Sequence, residues 1–244
     1  MKQHEAVIKI MERNGGFATL GYLNQEVLRV PGVEWKTKTP FASIRRIVQD
    51  ERFFFKIKPG LWALLSHRDK LSPEIFPTDI VPKSEQELFN HSYYQGLLVE
   101  IGNLKKYETF VPSQDKNKKF LGKTLSEVSS QENFYQFGYD HIVRKAKTVD
   151  VCWFNIRKMP SVLFEIEHST DIQNSLLKFN ELQDYNTNFF IVADKVRKAE
   201  YTGKLALNAF VPIKSRVQFM DYDKLSDWHT KTFEIVSVEN TLTF

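Results

Sequence analysis

Cysteine is almost absent from this chain of 244 residues, because Cys152 is the only one. A single cysteine can neither close an intrachain disulfide nor build a cysteine-based zinc site. Since this usage suits a reducing compartment, we expect a cytoplasmic protein. Cys152 lies in the apolar run VDVCWF, where the pattern favours a small buried hydrophobic residue over a nucleophile.

Other signatures are missing as well. No apolar run approaches the length that spans a membrane, and neither a G-x-x-x-x-G-K-[ST] phosphate loop nor a G-x-S-x-G elbow occurs. These absences argue against a membrane protein, a P-loop ATPase and an elbow-type serine hydrolase. With 42% hydrophobic and 26% charged residues, the composition indicates an ordinary globular protein that has room for two modest domains.

Positive charge is concentrated at the N-terminal end. Residues 1–70 contain 13 Lys or Arg against 7 Asp or Glu, whereas the remainder contains 21 against 23. This asymmetry predicts that the N-terminal part binds a polyanion and that the near-neutral remainder carries the chemistry.

Three helices followed by a strand pair are predicted for the basic part. Apolar residues recur at helical spacing in segments 4–13 and 19–30, and Thr39 before Pro40 can cap a third helix. RFFFKIK and LWALL, on either side of a Pro-Gly turn, predict two strands. This order of elements predicts a winged helix-turn-helix domain over residues 1–68.

The motifs GGFATLGYLNQEVL, WKTKTPFASIRRIVQ and FFKIKPGLWAL resemble the HARE-HTH family of winged helices, which are found fused to bacterial restriction enzymes and in chromatin-associated proteins. The resemblance implies contact with DNA. The third helix would enter the major groove, with the strand pair as the wing beside it. The candidate DNA-binding residues are Lys36, Thr37, Lys38, Thr39, Arg45, Arg46, Gln49, Lys56 and Lys58.

A proline-containing segment, residues 69–83, is predicted to link this domain to a second one over residues 84–244. Ser84 and Glu87 have capping-box spacing and predict a helix that runs to about Lys105. Near the C-terminus we expect a short helix over residues 221–228 and then a separate apolar segment over residues 233–238.

The segment from Thr148 to Asp171 contains two strand-like runs joined by a short basic connection, which predicts a β-hairpin. Asp150 lies near the start of one strand, and Glu165 and Glu167 lie near the end of its partner. Because alternate side chains of a strand share a face, the two glutamates point the same way. Three converging carboxylates suit a hard cation such as Mg2+.

Asp150 followed by Glu165-Ile166-Glu167 resembles the PD-(D/E)xK nuclease core, although Glu167 stands where that family usually has Lys. The longer runs FEIEHSTDIQNSLLKFNELQD and NFFIVADKVRKAEY resemble a subgroup of restriction-endonuclease-like proteins. The resemblance implies an α/β (α+β) fold with a mixed central sheet flanked by helices. It also implies that Asp150, Glu165 and the carbonyl of Ile166 hold Mg2+.

Three further residues have alternative roles. Glu167 would bind a second cation or orient the attacking water. Glu100 is a candidate because a helix before the first core strand often supplies an acidic residue in this family, although a plain surface glutamate fits nearly as well. His168 beside the acidic pair could bind metal or act as a base, but local hydrogen bonding is the commoner role.

Together these features predict a Mg2+-dependent, type II-like restriction endonuclease that cleaves double-stranded DNA at a specific sequence. It would act as a homodimer, because a two-fold axis matches antiparallel DNA strands, and would be accompanied by a cognate DNA methyltransferase. One alternative is a winged-helix regulator with an inactive nuclease-like domain. Another is a nuclease that acts on modified or damaged DNA, or on RNA.

Overall fold

The structure is a computed structural model that describes residues 1–77, 81–240 and 242. Contacts within the chain divide it into two compact units. One unit comprises Met1–Val81 with Ser226–Phe244, and the other comprises Pro82–Leu225. Residues 78–80 of the predicted linker lie outside the described residues, and Leu65–Lys70 forms a short 3-10 helix before them.

The first unit combines helices with a three-stranded antiparallel sheet. Its elements up to residue 64 are α1 (Gln3–Arg13), β1 (Phe17–Thr19), α2 (Leu20–Glu26), α3 (Pro40–Ile47), β2 (Phe54–Lys58) and β3 (Leu61–Leu64). The strand order is β1-β3-β2, and apolar residues of all three helices form one core with the sheet. The predicted helices and strand pair are present, whereas β1 is too short for its pattern to be read from the sequence.

The second unit is built on a five-stranded mixed sheet. Its elements are α4 (Lys83–Leu104), β4 (Glu108–Phe110), β5 (Lys119–Phe120), β6 (Lys123–Thr124), α5 (Leu125–Val128), α6 (Asp140–Ala146), β7 (Val151–Phe154), β8 (Pro160–Glu167), α7 (Ile172–Asn180), β9 (Asn188–Ala193), α8 (Lys198–Leu205) and β10 (Val217–Asp221). The order is β10-β9-β8-β7-β4, with parallel pairing of β10, β9 and β8 and antiparallel pairing of β8, β7 and β4. The predicted α/β fold, with a mixed central sheet flanked by helices, is confirmed.

Two predicted helix caps are wrong. Helix α4 begins at Lys83 with Pro82 at the N-cap and no side-chain cap, and Glu87 accepts a hydrogen bond from Ser169 Oγ at 3.0 Å instead. Thr39 does occupy the N-cap of α3, but its side chain does not cap the helix, because its Oγ1 lies 3.3 Å from Thr37 Oγ1. The capping patterns were right about the position of each helix and wrong about which contacts hold its end.

The two C-terminal segments predicted from the sequence are one helix, α9 (Tyr222–Glu239). No glycine or proline interrupts this stretch, so the backbone continues through the apolar segment. Its first four residues belong to the second unit, and the rest belong to the first. In the described part of the chain, no helix combines the length and the apolar character needed to cross a membrane.

Close packing positions α4 against the sheet of the second unit. The indole nitrogen Nε1 of buried Trp153 donates to the carbonyl of Leu98 at 3.1 Å, which joins α4 to β7. Gly96 lets the ring of Phe120 pack directly on the helix, because a Cβ at this position would lie only 2.1 Å from a ring carbon. The loop that precedes Phe120 is thereby held beside α4.

Candidate active site

The register of β7 and β8 brings Asp150 next to Glu165. Val151 pairs with Phe164 in the antiparallel ladder, so the residue before Val151 and the residue after Phe164 are neighbours. Asp150 Oδ2 accepts a hydrogen bond from the backbone nitrogen of Ile166 at 2.7 Å. Asp150, Glu165 and Glu167 are all buried, which makes the end of this hairpin a compact acidic site.

Helix α7 adds a lysine and a serine that the sequence analysis missed. The ammonium nitrogen of Lys178 lies 2.9 and 2.8 Å from the two carboxylate oxygens of Glu165. Ser175 Oγ donates to Glu165 Oε2 at 3.0 Å and also contacts Glu167, whose other oxygen accepts from Thr170 Oγ1. The sequence signal was a serine and a lysine three residues apart, and therefore on one face of the helix that follows the acidic strand.

Burial sets the electrostatics of the acidic strand. It raises the pKa of Glu165 well above its ordinary value, with a further contribution from the Asp150 charge, while Lys178 acts in the opposite direction. Burial also raises the pKa of Glu167, although hydrogen bonding from Ser175 opposes the shift. For Lys178, burial lowers the pKa, but the surrounding carboxylates outweigh it and the net shift is upward. Two buried carboxyls with raised pKa values are groups that a bound cation would stabilise in their charged form.

The raised pKa of Glu167 predicts how stability depends on pH without metal. The contribution of Glu167 to the free energy of unfolding is fully present when the pH is below its ordinary pKa of 4.5. This contribution is lost as the pH rises through the higher folded-state pKa, because the buried carboxyl must then ionise. We therefore expect the unfolding midpoint of wild type, relative to Glu167→Gln, to fall as the pH is raised from 4.5. Thermal unfolding in EDTA at several pH values measures this difference, and a constant difference would contradict the prediction.

A second group of side chains lies on the other side of Asp150. His91 and Gln95 are four residues apart on one face of α4. Gln95 Nε2 donates to Asp115 Oδ2 at 2.8 Å and to the carbonyl of Asp150 at 3.0 Å, and His91 Nε2 lies 3.5 Å from Asp150 Oδ1. His91, Asp115 and Asp150 each offer a ligand atom, and these atoms lie within 4.8 Å of one another, so the group could hold a metal ion.

The members of this second group come from three separate segments with no common spacing, so no sequence pattern points to it. Asp115 lies in the loop between β4 and β5, and only the packing of that loop on α4 brings it to Gln95. Glu100, the acidic residue predicted on this helix, is half-buried. It follows Gln95 by five residues and therefore lies about 140° further around α4.

The second group borders a cleft with a volume of about 290 Å3. Its lining includes His91, Lys118, Ile166 and His168, so solvent and ligands can reach the site. His168 Nδ1 lies 2.6 Å from the hydroxyl oxygen of Tyr222, and whether this residue binds metal or acts as a base stays open.

In the first unit, the predicted DNA-binding residues of α3 border a groove of about 730 Å3. The members of the predicted set that line it are Lys38, Thr39, Arg45, Arg46 and Gln49. Arg45 also forms a 3.7 Å ion pair with Asp227, and Lys36 lies 3.3 Å from Glu34. Both pairs are exposed, so they contribute little and can be exchanged for phosphate contacts.

The strand pair carries the two remaining lysines of the predicted set. Lys56 is exposed on β2, whereas Lys58 at its end is half-buried, and burial lowers its pKa to about 8. A phosphate beside Lys58 would favour its charged form. The roles of all nine residues in DNA binding stay predictions.

Fold and site together define an α/β domain with buried carboxylates at a strand end, beside a group of one histidine and two aspartates that could hold a metal ion. Residues 72–241 match the family described as Type II restriction enzyme NmeDI C-terminal domain, and the chain belongs to that family. No curated protein and no solved structure matches the chain. The family match confirms the resemblance to restriction endonucleases, while the PD-(D/E)xK core and the N-terminal winged helix stay predictions.

Proposed function

We propose that this protein is a Mg2+-dependent restriction-type endonuclease that hydrolyses phosphodiester bonds of double-stranded DNA at a specific sequence. The observation that carries the proposal is the pairing of Asp150 with Glu165 at the end of a buried hairpin, in a chain that belongs to a type II restriction enzyme family. The arrangement fits the PD-(D/E)xK pattern, in which an Asp on one strand and an acidic triplet on the next form the catalytic centre.

Asp150, Glu165 and the carbonyl of Ile166 would hold Mg2+, and Glu100 stays a candidate for an additional acidic group. The bound ion would polarise the scissile phosphate and lower the pKa of water. The donor set fits a hard cation, because it offers buried carboxylates whose pKa values are raised without one. The expected products carry a 5′-phosphate and a 3′-hydroxyl.

Lys178 would supply the positive charge that Glu167 cannot provide. Its ammonium group already contacts both oxygens of Glu165 and is held there by buried charge. From this place on α7 it can stabilise negative charge on a phosphate or orient water. Glu167, with Ser175 and Thr170 as hydrogen-bond donors, would bind a second cation or hold the attacking water.

A Mg2+-dependent digest tests the proposed function. Methylated and unmethylated DNA are incubated with the protein in Mg2+ or in EDTA, and the products are sequenced at their ends. Discrete cuts with 5′-phosphates in Mg2+ alone support the proposal. Cleavage of methylated DNA alone would favour a nuclease that acts on modified DNA. Binding without any cleavage would favour a regulator with an inactive nuclease-like domain, in which Glu167 at the usual lysine position marks the loss of activity.

Residues 1–68 are proposed as the winged-helix domain that binds DNA, with 69–83 as the linker and 84–244 as the nuclease domain. The protein would work in the cytoplasm as a homodimer, so that each subunit cuts one strand, and a cognate methyltransferase would protect host DNA. The net positive charge of residues 1–70 supports the assignment of DNA binding to this part of the chain.

We expect Arg45→Ala/Arg46→Ala to weaken DNA binding and to reduce the slope of log affinity against log salt by about one to two, since each phosphate contact contributes ~0.9. Arg29→Ala/Lys224→Ala is the matched control, because it also removes two charges, each paired with a nearby carboxylate. Fluorescence anisotropy over a salt series gives both slopes. Equal slopes in the two double variants would disprove the assignment of Arg45 and Arg46.

A further inference from the structure

We infer that His91, Asp115 and Asp150, together with the side-chain oxygen of Gln95, form a distinct cation site for a first-row transition metal such as Mn2+ or Co2+. The inference goes beyond the proposed Mg2+ centre and shares only Asp150 with it. Asp150 would present Oδ1 towards His91 and keep Oδ2 on the backbone nitrogen of Ile166, so one carboxylate would serve both sites.

The side chains of His91, Asp115 and Asp150 already lie close together. Their ligand atoms lie within 4.8 Å of one another before any ion binds, and Asp115 and Asp150 are buried while His91 is half-buried. Backbone contacts hold the set, because Asp115 N donates to the carbonyl of Pro112 at 2.9 Å and Ile166 N donates to Asp150. Such a site needs little reorganisation to bind an ion.

An unsatisfied atom of Gln95 is the second observation. This side chain is fully buried, and its Nε2 donates to Asp115 and to the Asp150 carbonyl. Its Oε1 is also buried, and in the described part of the chain it has no hydrogen-bond partner. Since buried acceptors are nearly always satisfied, an amide oxygen without a partner, on a side chain whose nitrogen contacts both Asp115 and Asp150, points to a missing group that accepts its lone pair.

Lys118 supplies a positive charge at the position where the metal ion would bind Asp115. Its ammonium nitrogen lies 2.5 Å from Asp115 Oδ1, and its side chain lines the cleft that gives access to His91. Lysine has a flexible stem and no acceptor, so it can neutralise Asp115 and then turn into the cleft when a divalent ion arrives. Metal binding would therefore compete with this ion pair.

The imidazole of His91 determines which class of metal ion the site prefers. Carboxylate and amide oxygens suit Mg2+ and Mn2+ alike, but a histidine nitrogen favours the transition metals, whose affinity for such sites rises from Mn2+ towards Cu2+. None of the four proposed ligand side chains offers a thiolate, which is unfavourable for the softest ions. We expect the Asp150–Glu165 centre to bind Mg2+ and the His91 centre to discriminate against it.

Metal binding to the full-length protein, without DNA, tests the inference. Free Mn2+ is followed by electron paramagnetic resonance, and Mg2+ binding is followed by calorimetry. His91→Gln should weaken Mn2+ binding at one site at least ~10-fold, since even the loss of a ligand's hydrogen-bond partner costs about that much, while changing Mg2+ affinity much less. His141→Gln is the matched control, because His141 is an exposed histidine of the same unit.

A second variant keeps the test decisive if His91→Gln folds poorly. Lys118→Ala removes the competing ammonium and should tighten Mn2+ binding, whereas a purely structural ion pair would leave it unchanged or weaken it. Unchanged Mn2+ affinity in both His91→Gln and Lys118→Ala would overturn the inference.

The outcome is separable from that of the proposed function, because no cleavage is measured. Glu165→Gln should retain the His91-dependent Mn2+ site, and its loss in this variant would show that the two sites are one. A protein that binds Mn2+ through His91 but cuts no DNA would support this inference and contradict the proposed function.

Discussion

Replacing Asp150 by asparagine or Glu165 by glutamine is expected to lower the rate of DNA cleavage at least ~10^3-fold, the upper range for loss of one charge-stabilising group. Each change removes a proposed metal ligand but almost no volume. DNA binding should persist or tighten, because a carboxylate close to a phosphate repels it when no cation lies between them. Single-turnover cleavage and binding assays on the same DNA separate the two effects.

Glu181→Gln and Asp184→Asn are the controls for this prediction. Both are exposed acidic residues in the same unit, so they change the net charge equally without touching the site. Near-wild-type cleavage by either Asp150→Asn or Glu165→Gln would mean that the metal ion is held elsewhere.

The second large effect is expected at Glu167, where the cleavage rate should decrease in the order wild type, Glu167→Gln, Glu167→Lys. The lysine variant should lose at least ~10^2-fold in rate, the lower end of the contribution of a positioned catalytic group. Lysine cannot accept the hydrogen bonds from Ser175 and Thr170, and it adds a positive charge beside Lys178. Glutamine keeps an acceptor oxygen, so its loss should be smaller.

A variant of Lys178 helps to interpret the Glu167 variants. If Lys178 performs the role of the missing family lysine, Lys178→Met should also reduce cleavage by ~10^2-fold or more, because no other charge then replaces it. Lys204→Met, which removes a half-buried, ion-paired lysine of the same unit, is the control. A Glu167→Lys variant as active as wild type would instead show that Glu167 merely fills a vacant position, and a one-metal mechanism would then be the better interpretation.

Local patterns predicted much of the fold because they act over a few residues. The apolar run NFFIVA was predicted as a strand over residues 188–193, and β9 has these bounds. Helices α1 and α4 also begin and end within a residue or two of prediction. Errors arose at ends, as at Pro82, where the identity of the capping group depends on tertiary neighbours such as Ser169.

For the candidate site, the sequence by itself determined the acidic hairpin. Asp150, Glu165 and Glu167 lie within one local unit, and the two-residue period of a strand decides which of their side chains share a face. Tertiary structure alone decided that Lys178, His91, Gln95 and Asp115 join them. Those residues come from two helices and a loop. The spacing of Ser175 and Lys178 places both on one face of α7, but only the packing of α4 and α7 against the sheet brings all four residues to the hairpin.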